Sequence, residues 1–109
     1  MSFSKGDVVL LPYPFTGLKT TKVRPAVVAA SASGQYSDIF VVPITSRLSV
    51  LNDGEFSLAD WSSAGLNVPS AVKRGCVLVD TGLIKNRIGS LSDSDRLALD
   101  SALRLWLEL

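Results

Sequence analysis

Apolar residues in this chain gather into short continuous runs more than into alternating or helical patterns. Asp7–Tyr13 (DVVLLPY) follows Gly6 as a run too short for a helix and rich in Val and Leu, which predicts a buried strand stopped by Pro12 and Pro14. Thr16–Lys22 (TGLKTTK) is short and polar and reads as an exposed loop carrying two lysines. Val23–Ser31 (VRPAVVAAS) and Ile39–Thr45 (IFVVPIT) are β-branched runs of strand length, separated by the turn formers of Ala32–Asp38 (ASGQYSD). After a polar connection through Asn52-Asp53-Gly54, Glu55–Leu58 predicts a short strand and Trp61–Gly65 (WSSAG) an irregular or briefly helical piece. Gly75–Asp80 (GCVLVD) is a further strand, and Leu83–Ile88 is a candidate for another.

The final segment has helical spacing. Ser92 with Asp95 three residues on makes a capping-box-like start, and no Pro or Gly follows before Leu109, so a helix is expected from about Asp93 to Leu107. Arg96, Asp100, Arg104 and Glu108 fall four apart as a solvated stripe of alternating sign, with Leu99, Ala102, Leu103 and Trp106 opposite. Short strands at close spacing before one terminal helix predict a mainly β fold, a small, strongly bent antiparallel barrel with the helix packed on it. No repeat or low-complexity segment interrupts it, so residues 1–109 read as a single domain.

Composition agrees with one modest core. The chain has 109 residues, 47% of them hydrophobic and 19% charged, and at this size folding buries about 65% of the unfolded surface. The net charge of +1 conceals a gradient. Residues 1–50 carry five cations against Asp7 and Asp38, whereas residues 91–109 carry Arg96 and Arg104 against four acids. A local basic face is therefore compatible with the near-neutral total. The absence of histidine excludes a Ser-His-Asp triad, a histidine-pair ribonuclease and a histidine-bound zinc. Cys76 alone makes neither an internal disulfide nor a metal site, and no apolar run approaches 18 residues, so no membrane role, no cofactor and a reducing cytoplasm are expected.

Chemistry is then left to Arg, Lys, Asp, Glu, Ser, Thr and Tyr. Neither Gly-rich nucleotide-loop pattern occurs, and the acid pairs Asp53/Glu55 and Asp93/Asp95 fall where turns and caps use carboxylates locally. Two positions stand out. Arg24 sits at the mouth of an apolar strand and Thr45-Ser46-Arg47 ends the next one, so pairing of 23–31 with 39–45 as a hairpin brings them to one open end. On composition alone, Arg24 reads as a surface arginine and Thr45 as a strand-end hydroxyl that caps a turn.

Gly6-Asp7-Val8-Val9-Leu10-Leu11-Pro12-Tyr13-Pro14-Phe15 followed by Lys22-Val23-Arg24-Pro25-Ala26-Val27-Val28 closely resembles the opening of the PemK/MazF toxins of toxin–antitoxin systems. Val42-Pro43-Ile44-Thr45-Ser46 resembles the family's second catalytic segment, and Trp61–Ser70 and Ile88–Ser92 resemble later connections, so the similarity spans nearly the whole chain. The resemblance implies an SH3-like barrel with a C-terminal helix, a cytoplasmic homodimer, a cognate antitoxin partner with which it binds DNA, and metal-independent, sequence-selective cleavage of single-stranded RNA. It also places Arg24 and Thr45 at the catalytic positions. Some members carry an Arg two residues before an Asp near residue 80. Here Leu78 precedes Asp80, so that pair is broken.

Such a reaction needs few residue types, because RNA supplies its own nucleophile in the 2′-OH. Arg24 offers a charged fork to the phosphate, and Thr45 a hydrogen bond to a phosphate or leaving oxygen. Lys19, Lys22, Ser46 and Arg47 are the candidate substrate-binding residues, with Tyr13, Phe15 or Tyr36 as stacking partners for a base. Lys73-Arg74 and Lys85/Arg87 read as solvated or turn charges. Two rivals stay open: a related barrel toxin that inhibits DNA gyrase through its terminal helix, here Leu105–Leu109, and an RNA-binding module without catalysis.

Overall fold

The computed structural model describes residues 2–13, 22–31 and 37–109, with the side chain of Tyr13 outside that description. Its strands are β1 (Asp7–Tyr13), β2 (Lys22–Ser31), β3 (Asp38–Thr45), β4 (Phe56–Ser57), β5 (Ala71–Val72), β6 (Val77–Asp80) and β7 (Asn86–Ser90). A 3₁₀ turn, Thr81–Leu83, precedes β7, and helix α1 (Asp93–Leu107) follows it. The strands form one antiparallel sheet in the order β4-β5-β3-β2-β1-β7. β6 joins beside the first half of β3, opposite Asp38–Val41, and β5 beside its last two residues. Two partners in succession along one strand curl the sheet into a half-barrel.

The curl explains why the strands read as unbroken apolar runs. Val8, Val27, Ala29, Val42 and Ile44 point to one face and pack with Leu91, Leu99 and Leu103 beneath α1. Their sequence neighbours Val9, Ala26, Val28, Ile39 and Val41 point the other way and close on Phe3, Leu11 and Val79. Both faces are covered, so alternation disappears from the sequence. Full burial of a Val or Leu contributes about 1.5–3 kcal/mol, and two such clusters supply most of the fold's cohesion.

Pro12 does not stop β1; it lies within it, opposite Val23. Leu10 accepts a hydrogen bond from the Lys85 N–H at 2.8 Å, so even-numbered residues of β1 turn their polar groups toward β7. β7 ends its pairing at Asn86 opposite Leu10, leaving no carbonyl there to miss the proline's absent donor. β5 is a strand the sequence pattern does not disclose, being two residues long and defined by its partners. The last predicted strand begins at Asn86 instead of Leu83, because Asp80 caps the Thr81–Leu83 turn through the Gly82 N–H at 2.7 Å. Trp61–Gly65 is a run of turns.

Helix α1 has the expected bounds and the expected Ser92 cap, but only half of a capping box. Ser92 Oγ accepts from the Asp95 N–H at 3.3 Å as a capping box requires. The Asp95 carboxylate does not return to Ser92. It accepts the backbone N–H groups of Ala59 and Asp60 at 3.0 and 2.9 Å, tying the turn segment to the helix start. The charged stripe is also partly engaged: Asp100 pairs with Lys5, and Arg96 Nε donates to the Leu91 carbonyl at 3.3 Å.

Candidate active site

β2 and β3 pair in a register that sets Ala26 against Pro43 and Val27 against Val42. Continued for two residues, that register places Arg24 across from Thr45. Arg24, Thr45 and Ser46 all line one cleft of about 290 Å³. Its other wall comes from Gly65–Val68 and Ser70, with Leu10, Ile44 and Ile88 contributing apolar surface. The site thus has a polar side built from strand ends and a mostly apolar side built from the turn segment.

Each polar group has a definite state. Thr45 Oγ1 accepts the Arg47 N–H at 3.0 Å, closing a tight turn immediately after β3. That bond occupies an oxygen lone pair and leaves the hydroxyl hydrogen free to donate. Thr45 therefore caps the turn and also lines the cleft. Arg24 is exposed and makes no ion pair among the described residues. A guanidinium without an internal carboxylate keeps its full fork of donors for an external anion.

Ser46 reaches the cleft wall. Lys22 and Arg47 are exposed beside it without lining it: Lys22 lies two residues before Arg24 on β2, hence on the same strand face, and Arg47 follows the Thr45 turn. Lys19, Phe15, Tyr36 and the side chain of Tyr13 lie outside the described residues. Arg87 is drawn into the fold by Asp7, 3.3 Å away, while Arg74 uses its backbone N–H on Glu55 at 2.8 Å.

Asp80 sits opposite Asp38, at the far end of β3 from Thr45. The two ends are seven residue steps apart along the strand, about 23 Å, and the Asp80 carboxylate caps the 3₁₀ turn. Cys76 lies off the cleft, and partial burial pushes its thiol pKa up, away from the thiolate a nucleophile requires. Among the described residues no three His, Cys, Asp or Glu side chains gather in a metal-binding cluster.

Sequence reasoning missed the second wall. Gly65 has φ +91°, and a Cβ built there would overlap the Ile88 carbonyl, so the turn segment presses directly on β7. Leu66 is buried, and Ser70 Oγ bonds the Val68 carbonyl at 2.9 Å, leaving Asn67 exposed between them on the cleft. The only local signal was an asparagine between an apolar anchor and a proline.

Comparison with known proteins gives the arrangement a family. The structure resembles the Mycobacterium tuberculosis toxin MazF-mt6 with a TM-score of 0.74 and 22% identity, over 94% of this chain and 97% of that one. It resembles MazF from Deinococcus radiodurans with a TM-score of 0.78 and 21% identity, over 100% and 99% of the two chains. It also resembles a mycobacterial endoribonuclease solved in complex with its cognate antitoxin, with a TM-score of 0.74 and 11% identity, over 99% of this chain and 97% of that chain. At these identities the likeness is one of fold. A search of the curated proteins gives no match. The sequence itself matches the family described as PemK-like, MazF-like toxin of type II toxin-antitoxin system over residues 4–107. A match over nearly the full chain, on the curled sheet and terminal helix just described, means that this protein belongs to the PemK-like, MazF-like toxins of type II toxin–antitoxin systems.

Proposed function

We propose that the chain is an endoribonuclease toxin that cleaves single-stranded RNA at the Arg24–Thr45 cleft. The observation that carries the reading is the convergence, on one cleft, of a guanidinium with no ion pair among the described residues and a hydroxyl that lines the same wall. The apolar opposite wall suits a ribose or a base. The 2′-OH beside the bound phosphate attacks phosphorus and loses its proton, the P–O5′ bond breaks, and the departing 5′ oxygen gains a proton. The products are a 2′,3′-cyclic phosphate and a 5′-OH. Negative charge on the phosphate oxygens is greatest in the transition state, where Arg24 stabilises it most. Thr45 donates to a phosphate or leaving oxygen. Ser46 adds a donor on the same wall, and Lys22, Arg47 and Lys19 hold neighbouring phosphates. The residues in these roles require no metal.

The partners follow from the same reading. The cognate antitoxin of a structural relative supports an antitoxin for this chain, one that silences the cleft by covering it. A second copy of the chain is the other partner. Phe40 and Leu78 are a cross-strand pair on β3 and β6, 44% and 52% exposed, and beside them a groove of about 640 Å³ runs to Leu103 and Leu107 of α1 and to Leu109 beyond its end. Apolar surface of this extent on so small a protein suits a two-fold interface. Trp106, by contrast, packs on the core and donates to the Asp53 carbonyl at 2.9 Å, which commits it to the fold and weakens the case for a gyrase-binding helix.

Incubation of the purified protein with a long single-stranded RNA in EDTA tests the reading. Discrete fragments with 5′-OH and cyclic or 3′-phosphate ends are expected. Loss of activity in EDTA, or 5′-phosphate products, would overturn the mechanism. Sedimentation at micromolar concentration is expected to show a dimer, and an 11.6 kDa species alone would overturn that part.

A further inference from the structure

We infer that Asn67 reads the base of the nucleotide that adjoins the scissile phosphate, making it the specificity-determining residue of the cleft. The inference rests on the ribonuclease reading above. Arg24, Thr45 and Ser46 recognise phosphate and carry no sequence information, because every nucleotide presents the same phosphate. On the opposite wall Leu10, Ile44, Leu66, Val68 and Ile88 pack against a base without distinguishing one edge from another, Gly65 has no side chain, and the buried Ser70 hydroxyl spends its hydrogen on the Val68 carbonyl. Asn67 supplies the wall's one amide side chain.

Three features fit it for the role. It is exposed on the cleft, and among the described residues no side-chain hydrogen bond engages its amide. An amide presents an acceptor and a donor side by side, which matches the paired groups on a base edge. Its backbone is firmly held: the Leu66 N–H bonds the Trp61 carbonyl at 3.1 Å, the Leu58 N–H bonds the Ser70 carbonyl at 2.9 Å, and Leu66 and Ser70 are buried on either side. A reader on an anchored segment loses little freedom on binding. The cleft's volume, at the lower limit of small-ligand pockets, suits one nucleotide.

The test uses short single-stranded RNAs carrying each of the four bases on either side of the cleaved bond. A matching series has a 2′-deoxy sugar at that bond, so that binding is read without cleavage. The wild-type chain is expected to discriminate at one flanking position. Asn67→Ala flattens that preference, lowering kcat/KM on the preferred RNA about tenfold or more while the disfavoured RNAs change little. Asn67→Asp, which only accepts, moves the ranking toward guanine, whose N1–H and N2–H are adjacent donors. The Asn67→Ala melting temperature stays within about 3 °C, as for an exposed side chain. An unchanged ranking in Asn67→Ala, or an equal loss on every RNA, would overturn the inference. If the wild type cleaves none of these RNAs, the ribonuclease reading falls, and the 2′-deoxy series still decides Asn67: a base preference lost in Asn67→Ala sustains it, and one retained overturns it.

Discussion

Gly65 and Gly89 bring two backbones into direct contact beside the cleft. A side chain on Gly65 would collide with the Ile88 carbonyl, and one on Gly89 with the Ala64 carbonyl. Since Gly65 and Ile88 both line the cleft, its depth depends on this approach. Gly65→Ala adds left-handed backbone strain to the collision, and a loss of about 2–4 kcal/mol in urea unfolding is expected. Gly89→Ala suffers the collision with no positive φ and is expected to lose less, and that ranking checks the attribution.

The Arg24–Thr45 cleft makes separable demands on rate and stability. Arg24→Ala is expected to slow RNA cleavage by about 10²–10³, the usual cost of one transition-state donor, and to change stability by less than about 1 kcal/mol. Thr45→Val removes both the free hydroxyl hydrogen and the acceptor of the Arg47 N–H, so it loses rate and also about 1 kcal/mol of stability. Thr45→Ser keeps both. Arg104→Ala, on the exposed face of α1, leaves the rate unchanged. Cleavage rates and thermal melts on the four variants separate these outcomes.

Those two residues were legible in sequence because strand pairing is. The runs 23–31 and 39–45 announced themselves by β-branched content, and pairing them as a hairpin was enough to set Arg24 near Thr45. The opposite wall was not legible. Asn67 reaches the cleft through a chain of long-range contacts, Gly65 on Ile88 and Leu58 on Ser70, none with a periodic signature. β5 was missed for the same reason: Ala71 and Val72 are strand only because Thr45 and Ile44 lie opposite. Pro12 misled because its missing donor matters only where a neighbouring strand needs it.

Asp95 shows how a local motif is redirected by tertiary structure. The residue is 3% exposed, and its carboxylate accepts two backbone N–H groups of the turn segment that leads to the cleft wall. Asp95→Ala leaves both donors without their partner, and a loss of about 2–4 kcal/mol in chemical denaturation is expected. Asp95→Asn keeps one accepting oxygen and turns an amide N–H₂ toward a donor, so most of that loss remains. Ser92→Ala, which removes only the cap, is expected to cost about 1 kcal/mol. A cost for Asp95→Ala no larger than that of Ser92→Ala would reduce Asp95 to a helix cap.

Glu55 is expected to make stability acid-sensitive. Its carboxylate accepts the Arg74 N–H at 2.8 Å and the Asn52 N–H at 2.7 Å, and these bonds, the first the stronger influence, hold its pKa below the ordinary value of 4.5. Because the folded pKa is depressed, the stabilisation is fully present above the unfolded value and is lost as pH falls through the folded one. Glu55→Gln keeps the shape but has no proton to bind, so its difference from wild type isolates this group. The wild-type advantage in melting temperature should be constant from pH 7 to about 6 and shrink steadily below about 4.5. Since Glu55 joins the Asn52 turn to the start of the segment after β5, the protection of the Arg74 amide against hydrogen exchange should fall over the same acidic range. An advantage that grew on acidification would reverse the sign and assign the stabilised form to the protonated carboxyl.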